Sequence, residues 1–156
     1  MSNLSDEERR GLVRERLAQW AHDLNEQATQ WDLETVKHLV VLNAAGVAGA
    51  ATLITNNSEL KLGLAVALSI YVIGVILAVA NLHLGALSFN EMSEGINERI
   101  DNEVDNVQVP ITAKILRMPE KGMPRNTWAV RAGKASASAA ILGTVVMICM
   151  LLIKSA

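Results

Sequence analysis

Residues 62–89 read LGLAVALSIYVIGVILAVANLHLGALSF, 28 consecutive positions without a Lys, Arg, Asp or Glu. A helix lying on a soluble domain needs a charged stripe for its wet side, and this stretch has none. Its length exceeds the roughly 20 helical residues that cross the roughly 30 Å hydrocarbon core of a bilayer. Two further stretches share the property. Residues 38–55 (HLVVLNAAGVAGAATLIT) carry nothing charged beyond a neutral His at the edge, and residues 135–153 are free of Lys, Arg, Asp and Glu. In hydrocarbon a backbone must satisfy its own hydrogen bonds, and segments of these lengths do so as helices. The expectation is an all-α integral membrane protein with three transmembrane helices. Composition agrees: 51% of residues are apolar but only 3% are aromatic, whereas a soluble core of this size would lean on more rings.

The loops predict an orientation. Five Lys or Arg precede the first span (Arg9, Arg10, Arg14, Arg16, Lys37) and seven lie between the second and third (Arg99, Lys114, Arg117, Lys121, Arg125, Arg131, Lys134). The turn 56–61 holds only Lys61, and the tail only Lys154. The positive-inside rule then puts the N-terminus and the middle segment in the cytoplasm of a prokaryotic inner membrane, with the C-terminus outside. Trp31 and Trp128 stand just ahead of spans one and three, where an indole would sit at the interface. Residues 1–36 are strongly charged and lack an apolar stretch followed by a small-residue cleavage site, so the first span is expected to act as the insertion signal. Cys149 is single and lies within the third span, which excludes an intramolecular disulfide.

Four segments follow: a cytoplasmic amphipathic helix over 1–36, a transmembrane hairpin over 37–89 (spans 38–55 and 62–89), a cytoplasmic helix and Pro-containing loop over 90–130, and a third transmembrane helix over 131–156. Ser5 with Glu8 reads as a capping box, and Asp6 and Glu7 favour a helix start. Val13, Leu17, Trp20, Leu24, Ala28 and Trp31 then recur at spacings of three and four. That apolar stripe must be covered by lipid, by the middle segment or by a neighbouring copy. Because the polar side of this helix is rich in Asp and Glu, protein contact is preferred over lipid. Leu17, Trp20, Leu24 and Trp31 are accordingly expected to form an oligomerisation stripe. Met92, Ile96, Ile100, Val104 and Val107 predict a second helix continuing out of span two, with Gly95 as a point of weakness. Pro110, Pro119, Pro124 and Gly122 predict an irregular connector, ended by Asn126 as a cap.

No phosphate loop, paired-cysteine metal site or nucleophile elbow is present, and no ionisable carboxylate or basic residue lies mid-span. An enzyme is not expected, and no cofactor or nucleic-acid partner is. The basic residues Lys114, Arg117, Lys121 and Arg125 are explained by retention on the cytoplasmic side, although they could also attract anionic headgroups. His38 and His83 would lie near one depth of an antiparallel hairpin, and two imidazoles there could ligate a b-type haem. Few rings are available to line such a pocket.

Small residues give the strongest pointer. Ala45 with Gly49, Gly46 with Ala50, Gly133 with Ala137 and Ser136 with Ala140 form small-xxx-small pairs that let helix backbones approach. Asn43, Ser69, Asn81, Ser136, Ser138 and Thr144 carry hydrogen-bonding groups that lipid tails cannot satisfy. A lone three-span chain has little interior to hide them, so the expectation is a homo-oligomer, or a complex with another membrane protein, in which Asn43, Gly46, Gly49, Ser69, Asn81, Gly133, Ser136, Ser138, Ala140 and Thr144 line a pore or pack helices. Two functions fit: a holin-like or defence-effector pore that permeabilises the membrane, or a non-catalytic accessory or immunity-type subunit of a larger membrane complex.

Overall fold

The computed structural model describes residues 5–56 and 58–155, with the backbone alone described for 27–33, 35, 58, 113 and 155. The described chain is all-helical, with no strand among the described residues. Three long helices dominate: α1 (Asp6–Asn56), α2 (Lys61–Arg99) and α3 (Met123–Ser155). They supply three stretches long and apolar enough to cross a membrane, Val36–Asn56, Lys61–Val104, which runs on past the end of α2, and Met123–Lys154.

α1 begins at the capping box predicted for it. The Ser5 N–H and hydroxyl each donate to Glu8 Oε2 at 2.8 Å, and the Glu8 N–H donates back to Ser5 Oγ at 3.3 Å. Its 51 residues run without a break through the boundary expected near residue 36, because no proline interrupts them. At 1.5 Å per residue this rod is about 76 Å long, well over twice a hydrocarbon core. A short 3-10 turn, Ser58–Leu60, reverses the chain into α2. α2 is also longer than a bilayer and, as expected, passes through Gly95 as helix. It ends in a π-helical turn, Ile100–Val104.

The connector back to α3 contains another 3-10 turn, Ala113–Leu116. α3 starts three residues before the cap expected at Asn126. Gly122 caps it instead: its carbonyl accepts the first helical bond, from the Asn126 N–H at 3.0 Å. Its φ of +89° suits glycine, and a Cβ there would lie 2.4 Å from the Ser88 carbonyl oxygen. Pro124 falls in the first turn, where a missing N–H costs nothing.

α2 is the central element and packs along both α1 and α3. At the end of the bundle away from the α1–α2 turn, α1, α2 and the connector enclose a hydrophobic core of Leu17, Ala21, Leu24, Met92, Ile96, Ile100, Val104 and Ile115. Val13, Trp20, Phe89 and Ile111 pack against it. We call this end the head. Leu17 and Leu24, expected to meet a second copy, are therefore covered by the same chain. The Trp31 and Ala28 side chains lie outside the described residues.

Candidate functional site

Through the apolar segment the outer surface is mostly aliphatic, with Ile73, Ile76, Val79, Ile141, Leu142, Val145 and Leu152 all exposed. Two polar side chains are buried at the helix contacts. Asn43 on α1 and Ser136 on α3 are fully buried, each with no exposed surface. Asn43 Nδ2 donates to the Leu39 carbonyl at 2.9 Å and to Ser136 Oγ at 3.2 Å. Ser136 Oγ donates in turn to the Gly74 carbonyl of α2 at 2.8 Å. One short chain of hydrogen bonds thus ties all three helices together.

The geometry fixes the orientation of the Asn43 amide, since exchanging its nitrogen and oxygen would set two acceptors, Oδ1 and the Leu39 carbonyl, against each other. Asn43 Oδ1 is buried without a hydrogen-bond partner. It faces Gly74, where an added Cβ would come within 2.0 Å of it. Only a glycine at 74 lets the amide fit between α1 and α2.

A second polar contact lies nearer the α1–α2 turn. The hydroxyls of Tyr71 and Thr144 are 2.7 Å apart, and Thr144 Oγ1 donates to the Ala140 carbonyl at 2.8 Å. The phenol is therefore the donor to Thr144. Tyr71 is 2% exposed, held between Gly46 of α1 and Gly143 of α3, whose added Cβ atoms would lie 2.2 and 3.0 Å from its ring. Asn81 is half-buried beside Gly133, and Ala140 is buried in the bundle.

The remaining polar residues of the expected set point outward but bond to their own helices. Ser69 Oγ donates to the Ala65 carbonyl at 2.9 Å and Ser138 Oγ to the Lys134 carbonyl at 3.0 Å. Around Gly49 an added Cβ would meet nothing within 4 Å. The small pairs thus divide. Gly46 with Ala50 and Ser136 with Ala140 serve contacts inside the chain, whereas Ala45 is exposed and Gly49 is open. Asn43, Ser136 and Thr144, expected to meet neighbouring copies, each have a hydrogen-bond partner in the same chain. His38 and His83 are both exposed on the outer surface of the helices, and Cys149 is exposed too. Among the described residues no group of three or more His, Cys, Asp or Glu is placed to hold a metal ion.

The head is held by cations whose expected tasks were retention on the cytoplasmic side or attraction of anionic headgroups. Arg10, 12% exposed, sends Nη1 to the carbonyls of Val104 at 2.9 Å and Asn106 at 3.0 Å, and Nη2 to that of Val109 at 2.7 Å. A guanidinium at a helix C-terminus meets both orphan carbonyls and the negative end of the dipole. Arg99 Nη1 donates to the Ile115 and Arg117 carbonyls and fixes the connector. Lys121 pairs with Glu98 at 2.7 Å and Glu94 at 3.2 Å, and Arg125 pairs with Glu91. The hydrogen bond to Glu98, with that to Glu94 second, raises the Lys121 pKa above its ordinary value. Lys121 and Arg125 thus belong to ion pairs within the head.

Two open depressions mark the head surface. One, of about 510 Å³, lies between Trp20 and Leu116 and is flanked by Arg16, Gln19 and Asp23. The other, of about 320 Å³, lies over Gly95 and Pro119, between the π-helical turn and the connector. No signal in the sequence marks Tyr71, Gly74 or Arg10 for these tasks, since each depends on which helices lie side by side. No protein-family model, curated protein or solved structure matches the chain.

Proposed function

We propose that the protein is a multi-pass, non-catalytic accessory subunit of a prokaryotic inner membrane, with its three-helix bundle as anchor and its head in the cytoplasm. The observation that carries this reading is the Asn43–Ser136–Gly74 connection. The Asn43 Nδ2 and Ser136 Oγ donors buried in the apolar segment find acceptors within one chain, which supports an anchor that closes without further copies. A pore built from several copies would need hydroxyls and amides on the outer face. The exposed hydroxyls there, on Thr52, Thr55, Ser69, Ser138 and Thr144, already donate to their own helices. The cytoplasmic placement of the head rests on the excess of Lys and Arg in the segments that build it. The groove between Trp20 and Leu116, where an apolar floor meets Arg16 and Asp23, is the surface to which a partner protein of the same membrane would bind.

Ion flux from liposomes containing the purified full-length chain tests this directly. An accessory subunit leaves the membrane tight, and stepwise conductance from the protein alone would overturn the reading in favour of a pore.

A further inference from the structure

The contacts between helices set their relative heights, and those heights locate the charges. An added Cβ on Gly133 would lie 3.0 Å from Asn81 Nδ2, and one on Gly74 would lie 2.0 Å from Asn43 Oδ1. Counting back along antiparallel α1 and α2 from the second contact brings Lys37 of α1 level with Ala80, next to Asn81, and Lys134 of α3 follows Gly133 directly. At the other end, an added Cβ on Gly63 would lie 2.2 Å from Met150 Sδ, which brings the start of α2 level with the end of α3. The three helices then enclose one slab: Lys37 to Asn56, Lys61 to Asn81 and Lys134 to Lys154 each rise about 28–30 Å at 1.5 Å per residue. That is the thickness of a hydrocarbon core. Three helices with unrelated sequences share it.

The upper border of the slab carries Lys37, Arg131 and Lys134, all exposed. None of the three has an ion-pair partner among the described residues, in contrast to Lys121 and Arg125 in the head. The Arg131 guanidinium lies 5.2 Å from the centroid of the Trp128 ring, which is itself 61% exposed. An indole under a guanidinium is suited to the interface, with its apolar body toward acyl chains and its cation toward phosphate. Residues 82–89, although apolar, lie above this border, and Phe89 packs on the core of the head. Span two accordingly ends near Asn81.

We infer that Lys37, Arg131 and Lys134, with Trp128, form a belt that binds the headgroups of anionic phospholipids at the head-side border of the bilayer. This rests on the membrane-anchor reading above. The shared slab thickness supplies the depth, and three cations that pair with no carboxylate among the described residues supply the complementary charge. A cation held at an anionic lipid surface contributes to attraction additively and is screened by salt.

The test uses the full-length chain with Trp20 and Trp31 replaced by Phe, so that Trp128 alone reports. Vesicles contain brominated phosphatidylglycerol or brominated phosphatidylcholine at equal mole fraction, and Trp128 quenching gives the relative association of the two lipids. The expected preference for phosphatidylglycerol is on the order of fivefold at low salt. It should fall to about one in the triple variant Lys37→Gln, Arg131→Gln, Lys134→Gln, and persist in the charge-retaining variant Lys37→Arg, Arg131→Lys, Lys134→Arg. Equal quenching by both lipids in the chain with native cations would overturn the belt while leaving the membrane anchor intact. A Trp128 quenched by neither lipid would overturn the placement of the border as well.

Discussion

Asn43 is the residue on which the bundle turns, because its amide is buried, shared between helices and tightly fitted against Gly74. Gly74→Ala should drive a methyl into Asn43 Oδ1 and cost about 1–3 kcal/mol, the usual range for overpacking. Adding Asn43→Ala should recover most of that loss. Thermal unfolding in detergent of the two single variants and the double variant measures the coupling, and additive effects would contradict the contact. Glycines at the two other small pairs of α1 behave differently. Gly46→Ala should disturb Tyr71, whereas Gly49→Ala, with open space around it, should change stability by less than about 0.5 kcal/mol. At the N-terminus, hydrogen bonds from the Ser5 N–H and then its hydroxyl hold the Glu8 carboxyl below its ordinary value of 4.5. The cap is therefore fully formed above pH 4.5 and weakens as pH falls through the lowered folded value. Amide signals of residues 6–9, followed by NMR, should show fraying only on that acid side. Ser5→Ala, which keeps the N–H and loses only the hydroxyl, should weaken this pH dependence, and Glu8→Gln should remove it.

At the scale of elements, α1 is tied at its start to the π-helical turn and the connector that follow α2. Arg10→Met removes the guanidinium from the carbonyls of residues 104, 106 and 109, and should cost roughly 2–3 kcal/mol of local stability. Faster hydrogen exchange confined to residues 100–110 would check it, and unchanged protection there would contradict the capping role. Leu17→Ala should destabilise the head by about 2–5 kcal/mol, as cavities in packed cores do, without altering the number of copies in the particle. The stripe itself was legible, because Val13, Leu17, Trp20 and Leu24 repeat at helical spacing. Its partner was not, because periodicity says which side is buried and not what buries it. The continuation of α2 through Met92 and Ile96 was legible too, and what periodicity left open was whether these residues meet Leu17 of the same chain or of a neighbouring copy. The start of α3 was misread at Asn126 for a related reason: Asn is a good cap by composition, but the positive φ at Gly122 and the hydrogen bond its carbonyl accepts from Ser88 Oγ come from a close approach to α2.

For the whole molecule, the three apolar spans follow from the absence of charge over lengths that match a bilayer, a property each segment carries alone. Closure of the bundle is a property of pairs. Asn43 and Ser136 looked like groups in need of a neighbour because the interior of a three-helix chain was judged too small for them. Gly46, Gly74 and Gly143 make that interior by letting the backbones come near Tyr71 and Asn43. The most direct test of closure within one chain is a disulfide across it. With Cys149 replaced by Ser, Asn43→Cys and Ser136→Cys are introduced together and oxidised in membranes at low expression. The expected product is an internally crosslinked single chain, whereas a ladder of disulfide-linked dimers and higher species would contradict it and return these polar residues to contacts between copies.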